Sequence, residues 1–361
     1  MPSRVDVIMP AYNAAATVRE AVQSLLAQTM RDLRVVVIDD GSTDDTPAIL
    51  AALSAADGRV LVTRKVNDGI VEARNHALRL CDAEFIACLD ADDTAFPDRL
   101  ERQIAYLGEH PDCVALGGEV DHVDESGAPI EGLVQQGDPG RADPAKAPAL
   151  EPYIVHSTML ARRAAVVEVG GYRHVPNSED SDLFWRLQER GALVNLPVKF
   201  GAYRVHTASV SSSIVNGRIM AVGSQLGAIS ALRRRRGATD IAFPRELHAS
   251  LRAAVTMEKM CAAAARDIEP EEAQHLRIAA AAKLMELARY RPYELDAGDC
   301  AFIRAALPLA KQLSRKNQKE VAWYVSVTAA RLMRKGMLSE ALTLAPPKSY
   351  PVAAARALLQ L

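Results

Sequence analysis

The sequence predicts a two-part α/β protein: a mostly parallel sheet with helices on both faces, followed by an all-helical region. Three observations predict it. Over roughly the first 125 residues, short apolar runs alternate with stretches of helical period, the pattern of a parallel sheet covered on both faces. Acidic and small residues gather directly behind the apolar runs. After Ile214 strand-like runs vanish, and Ala, Leu and Arg dominate with helical periodicity to Leu361.

The elements follow in order. Val5–Met9, Leu33–Asp39, Val60–Thr63 and Phe85–Leu89 are apolar runs of strand length. Between them Val18, Ala21, Val22, Leu25 and Leu26 form one apolar stripe of a helix, and Thr17 with Glu20 has the form of a capping box. Thr46-Pro47 suits a second helix start. Ile70, Ala73, Ala77 and Leu78 mark a third helix, and Leu100, Ile104 and Leu107 a fourth that ends near Pro111. Residues 135–152, rich in Pro, Gly, Ala and Asp, read as a loop. Tyr153 to about Ser213 is mixed α/β, with a helix near Arg162–Val169 stopped by Gly170-Gly171 and another from about Asp180 to Arg190 stopped by Gly191. The fragment from Gly336 to Leu342 faintly suggests helical hairpins. The expected domains are residues 1–213, with a donor half to about 125 and an acceptor half from about 150, and residues 214–361.

Composition narrows the function classes. A chain of 361 residues with 49% apolar content can build two cores. A net charge of −2 gives no global field to attract nucleic acid. The five cysteines are widely spaced without a CxxC pair, as expected of free buried thiols in a reducing compartment. A strand-like run begins at Val5 without a basic and apolar leader, so no signal peptide is expected, and no apolar run reaches bilayer length. The expected location is cytoplasmic, with peripheral contact at the inner membrane face left open.

The chemistry lies behind the strands. Pro10-Ala11-Tyr12-Asn13 follows the first, Asp39-Asp40-Gly41-Ser42-Thr43-Asp44 the second, and Asp90-Ala91-Asp92-Asp93 the fourth. Right-handed crossovers place all three on one sheet edge, where α/β folds bind ligands. So many carboxylates together call for a cation. A divalent ion bridging a diphosphate is the natural companion, since Mg²⁺ is usually held by one or two carboxylates plus phosphate oxygens.

These segments resemble, in order, the motifs of the inverting glycosyltransferases of family 2, which have the Rossmann-like GT-A fold. The resemblance covers about residues 3–213. Beyond the three clusters it includes Ser24–Thr29, Gly69–Asn75, Asn177-Ser178-Glu179-Asp180 with Leu183–Leu187, and Tyr203-Arg204-Val205-His206 followed by Ser209 and Ser211. It implies that Asp40 accepts from the nucleotide base with Asp39 supporting, and that Pro10, Tyr12 and Asn13 line the base and ribose pocket. Arg74 would reach the diphosphate. Asp90 and Ala91 would contact the donor. Asp92, joined by His206 and Asp93, would hold Mn²⁺ or Mg²⁺. Asp180 would be the general base, with Glu179 the runner-up. The implied reaction is inverting hexosyl transfer from a nucleotide sugar to a glycan or lipid-linked glycan, as in polysaccharide biosynthesis.

His156 and Trp185 fall in the acceptor half. Trp185 has two readings, a sugar-stacking ring or a core residue, and burial statistics favour the core. Arg233-Arg234-Arg235-Arg236 is either a solvated helix end or a contact for anionic lipid. The helical region is also the candidate surface for self-association. Two rivals stand beside the transferase. A sugar-phosphate nucleotidyltransferase would carry a Gly-rich basic loop where Pro-Ala-Tyr-Asn stands, and a non-catalytic nucleotide- or glycan-binding protein would have no need of Asp92, Asp180 and His206.

Overall fold

The computed structural model describes residues 3–131, 137–206 and 213–359. Ser209 and Ser211 lie outside the described residues. The chain forms two compact units, one of residues 1–141, 152–173 and 183–206, the other of 142–151, 174–182 and 207–361.

The first unit carries β1 (Val5–Ala11), α1 (Val18–Leu26), β2 (Leu33–Asp39), α2 (Thr46–Ala56), β3 (Val60–Arg64), α3 (Ile70–Leu80), β4 (Phe85–Cys88), β5 (Thr94–Ala95), α4 (Arg99–Glu109), β6 (Cys113–Val123), β7 (Leu160–Arg162), α5 (Arg163–Glu168), α6 (Glu179–Gln188, its first turn counted with the other unit) and β8 (Ala192–Arg204). The strands form one sheet in the order β3-β2-β1-β4-β7-β6-β8-β5. Parallel pairing of β1 with β2 and β4, β2 with β3, and β6 with β8 makes it mostly parallel, while β7 and β5 run antiparallel to their neighbours. Apolar clusters cover both faces. Val7, Met9, Val35 and Val37 point to one, Ile8, Val36 and Ile38 to the other, because successive strand residues alternate sides.

Three local findings depart from the sequence reading. Thr17 makes no side-chain cap bond at α1, and the Glu20 carboxylate accepts from Arg204 at 2.9 Å instead of turning back to Thr17. The long strands β6 and β8 carry Gly117, Gly118, Pro197 and Gly201, which mask the strand pattern. The glycines are needed for close approach: a Cβ on Gly117 would lie 2.3 Å from Ile154, and one on Gly201 would lie 2.1 Å from the Thr94 carbonyl. Third, α6 ends at Gln188, short of the expected stop at Gly191.

The second unit contains α7 (Ile214–Arg235), α8 (Glu246–Ala254), α9 (Met257–Ala264), α10 (Pro270–Leu287), α11 (Ala297–Ala306), α12 (Arg315–Arg334), α13 (Leu338–Leu344) and α14 (Tyr350–Leu359). Two capping boxes, Glu269 with Glu272 and Asp296 with Asp299, start α10 and α11. α7 and α10 pack together. Both helices are rich in small residues, including Gly227 on α7 and Ala279–Ala282 on α10. No described helix is long and apolar enough to cross a membrane.

The arginine run is not a free basic patch. Arg233 donates through Nε to both oxygens of Glu272, at 3.0 and 3.1 Å. Arg236 also pairs with Glu272, and Arg234 holds Asp240 at 2.9 Å. Most of the charge expected to meet anionic lipid is therefore neutralised inside the unit. The five cysteines are free and buried, as expected; burial pushes the Cys88 and Cys113 thiols up to about 11.

Candidate active site

The parallel run β3-β2-β1-β4 brings the ends of β1, β2 and β4 to one edge. Asn13, just past β1, adopts φ +50°, a left-handed conformation that Asn tolerates better than most residues. Its Oδ1 accepts from the Thr43 amide at 2.8 Å, and its own amide donates to Ser42 Oγ at 3.0 Å. Asn13 thus ties the first loop to the second. Tyr12 beside it is 53% exposed, leaving its ring available at the edge, whereas Pro10 and Ala11 are buried in β1.

Asp39 and Asp40 turn inward. Asp39 accepts from the Ser42 amide at 2.9 Å and lies 3.2 Å from the Arg64 guanidinium. Asp40 is 4% exposed and pairs with Lys65. It also accepts from the amides of Asp68 at 3.1 Å and Gly69 at 2.9 Å. Three donors on this buried carboxylate hold the 65–69 wall against it, at the position where the resemblance places the nucleotide base. Gly41 makes the crossing feasible: at φ +78°, a Cβ there would sit 2.7 Å from the Asn67 amide nitrogen. Lys65 went unremarked in the sequence, although a basic residue directly behind β3 was its signal.

The carboxylates behind β4 divide by role. Asp90 Oδ1 lies 3.3 Å from Arg74 Nη2, and its Oδ2 accepts from Ser157 Oγ at 3.0 Å. Burial alone would raise the Asp90 carboxyl, but the charge of Arg74 and the Ser157 hydroxyl bring it below its ordinary value. Arg74, expected on a donor-facing or solvated helix face, is 5% exposed, with its guanidinium 5.4 Å from the Tyr172 ring centroid. Asp93 is 2% exposed. It meets Ser157 through Oδ2 and accepts from the Arg204 amide at 2.8 Å through Oδ1. Both oxygens of Asp93, expected beside the metal, are engaged inside the protein. Burial, and then the neighbouring Asp90 and Asp92, push its carboxyl well above the ordinary range. A serine hydroxyl has one proton and cannot donate to two carboxylates. A protonated Asp93 would resolve this, donating to Ser157 while Ser157 donates to Asp90.

Asp92 faces outward. Its side chain is 39% exposed, with Oδ2 2.9 Å from His206 Nε2. Burial and then Asp90 raise its carboxyl. Arg204, part of the Tyr203–His206 motif but given no role of its own from sequence, sets this pairing. It is 8% exposed, its Nε donates to the Asp92 carbonyl at 3.0 Å, and its amide holds Asp93. The end of β8, which leads into His206, is thereby fastened to the Asp92–Asp93 turn. Among the described residues no group of three or more His, Cys, Asp or Glu side chains is arranged to hold a metal. The donor set available is therefore the carboxylate–imidazole pair. It fits a divalent ion whose remaining ligands come from phosphate and water.

Two residues proposed for an acceptor are enclosed. Trp185 is 1% exposed and offers no ring face to a sugar. His156 is 6% exposed, and its Nε2 lies 2.7 Å from the Tyr172 hydroxyl. Burial, then the charge of Arg74, lowers it to about 3, so it stays neutral near pH 7. Glu179 and Asp180 occupy the first turn of α6, where Asp180 Oδ1 accepts from the Ser181 amide at 2.7 Å. Carboxylates suit the positive end of a helix.

A sheet of this order, with carboxylates behind β2 and β4, is an α/β fold of the GT-A kind. The model of glycosyl transferase family 2 matches residues 6–170. EpsE of Bacillus subtilis strain 168, whose own glycosyltransferase assignment is provisional, is 31% identical over 202 residues, 52% of this chain and 68% of that protein. The chain therefore belongs to glycosyl transferase family 2 and is a glycosyltransferase. Two solved structures share its fold. Staphylococcus aureus TarS 1–349 in complex with UDP-GlcNAc has a TM-score of 0.51 and 16% identity, covering 96% of this chain and 91% of that one. The mannosyltransferase PcManGT from Pyrobaculum calidifontis, in complex with GDP-Man and Mn²⁺, has a TM-score of 0.52 and 18% identity, covering 100% and 88%.

Proposed function

We propose that this glycosyltransferase moves a sugar from a nucleoside-diphosphate sugar to a hydroxyl of a glycan or lipid-linked glycan, with inversion at the anomeric carbon. The observation that carries the proposal is the outward Asp92–His206 pair, 2.9 Å apart, beside carboxylates that are already satisfied inward. Asp92 and His206 would hold Mn²⁺ or Mg²⁺. A bound divalent cation supplies Lewis-acid neutralisation of the diphosphate. The complexes of TarS with UDP-GlcNAc and of PcManGT with GDP-Man and Mn²⁺ support a nucleotide-sugar donor and a cation here.

This chain's own residues supply the rest. Asp180, with Glu179 as its neighbour, removes the acceptor hydroxyl proton as that oxygen bonds to the anomeric carbon. The bond to the leaving phosphate oxygen breaks, and its electron pair departs with the nucleoside diphosphate. Attack opposite the leaving group inverts the centre. Tyr12 lines the base and ribose pocket, and the Asn13–Ser42 ties keep the two loops in register.

The test is a thermal-shift and hydrolysis panel with UDP-GlcNAc, UDP-glucose, UDP-galactose and GDP-mannose, each with Mn²⁺, Mg²⁺ or EDTA. One donor is expected to stabilise the protein and release nucleoside diphosphate only with metal, and Asp92→Asn or His206→Ala should abolish the metal response. No response to any donor, with or without metal, overturns the proposal.

A further inference from the structure

The segment that carries Asp180 belongs to the helical unit, residues 174–182 clustering with residues 207–361. It is seated there by contacts that run through its length. Pro176 lies directly on α7: a Cβ on Gly223 would come within 2.0 Å of the Pro176 carbonyl oxygen. Asn177 sits at φ +52°; its amide nitrogen reaches the Asn216 carbonyl at 3.3 Å, and its Oδ1 lies 3.2 Å from His248 Nε2 on α8. Next to Asp180, the Ser181 hydroxyl donates to Glu151. Glu151 meets Lys283 of α10 at 2.7 Å, and Lys283 meets Glu286 at 2.8 Å. The Lys283 side chain is 12% exposed. A lysine enclosed between two carboxylates stays charged and holds both in place, because removing it would leave buried negative charge unpaired.

From these contacts we infer that the helical region is a positioning element for the transfer reaction: α7, α8 and α10 mould the turn that presents Asp180, and Lys283, acting through Glu151 and Ser181, is a positioning residue for that carboxylate. The glycine at 223 and the left-handed asparagine at 177 are what a chain needs where a loop must lie against a helix backbone and reverse direction. Ser181 is 4% exposed, so its bond to Glu151 is sheltered from competing water. A catalytic carboxylate displaced by about 1 Å loses on the order of 100-fold in rate, so a seat of this kind has a kinetic consequence.

The inference rests on the assignment of Asp180 as the base, and the experiment separates the two. The full chain carries Lys283→Met, Asn177→Gly or Asp180→Asn. Amide exchange across 174–182 is measured for each, together with nucleoside diphosphate release from UDP-GlcNAc or GDP-mannose, whichever the donor panel shows to be turned over. Lys283→Met and Asn177→Gly are each expected to speed exchange across 174–182 at least tenfold. Each should lower kcat about tenfold while KM and nucleotide affinity stay within twofold and exchange in β1 and β2 is unchanged. Asn177→Gly retains the backbone conformation, so it decides the matter if Lys283→Met does not fold. Unchanged exchange and kcat in Asn177→Gly, or a parallel loss of nucleotide affinity, overturns the positioning role. If Asp180→Asn retains full kcat, the base assignment falls, and the exchange measurement still decides whether the helices seat the turn.

Discussion

Replacing Ser157 and Asp93 separately tests the inward half of the carboxylate cluster. In the relay, protonated Asp93 donates to Ser157 and Ser157 donates to Asp90. Ser157→Ala removes one neutral hydrogen bond and one to a charged acceptor, both sheltered, for a loss of about 2–4 kcal/mol. In a unit of this size that corresponds to a fall in Tm of roughly 4–16 °C. Asp93→Asn should behave differently. The Asn amide donates to Ser157 as the acid does, and its carbonyl still accepts from the Arg204 amide, so the change should stay within about 1 kcal/mol. The assay is a pair of thermal and urea melts on each variant, with Ser157→Thr as a control that keeps the hydroxyl. If Asp93→Asn costs as much as Ser157→Ala, Asp93 is ionised and the relay is wrong. If Ser157→Ala melts with the parent, the serine holds nothing.

Asp6, fully buried, accepts from Arg34 at 2.8 and 2.9 Å and from the amides of Asp82 and Ala83. Burial opposes its ionisation, but these donors prevail and hold its carboxyl below the ordinary value of 3.8. A carboxyl lowered on folding adds stability that is present above about pH 4 and is lost as pH falls through the folded value; urea melts from pH 7 to 2 should show that limb, and Asp6→Asn should remove it. Gly41→Ala should destabilise the first unit by about 1–3 kcal/mol, because position 41 is at φ +78° and a Cβ meets the Asn67 amide; a melt within 0.5 °C of the parent would contradict it. Arg233→Met should destabilise the helical unit by about 2–3 kcal/mol in urea by leaving Glu272 under-paired, without altering flotation with phosphatidylserine vesicles; lost vesicle binding with an unchanged melt would restore the membrane reading of the arginine run.

The sequence by itself determined the alternating strands and helices of the first unit, the change to helices after Ile214, and the edge on which the acidic clusters gather. These are carried by periodicity and order along the chain, which hydrophobic burial converts directly into layers. It also singled out Asp92 and His206, whose motifs are local. Direction is not local. Whether a carboxylate faces ligand or core depends on donors that arrive from distant segments, and only the tertiary structure turned Asp93 toward Ser157 and Arg204, and Asp40 toward Lys65. The same holds for Trp185, which the fold encloses, and for Arg233, whose partner Glu272 lies 39 residues away. The helical region had no legible purpose in sequence, because its hold on the Asp180 turn passes through Gly223, Asn177 and Lys283, residues with no motif of their own.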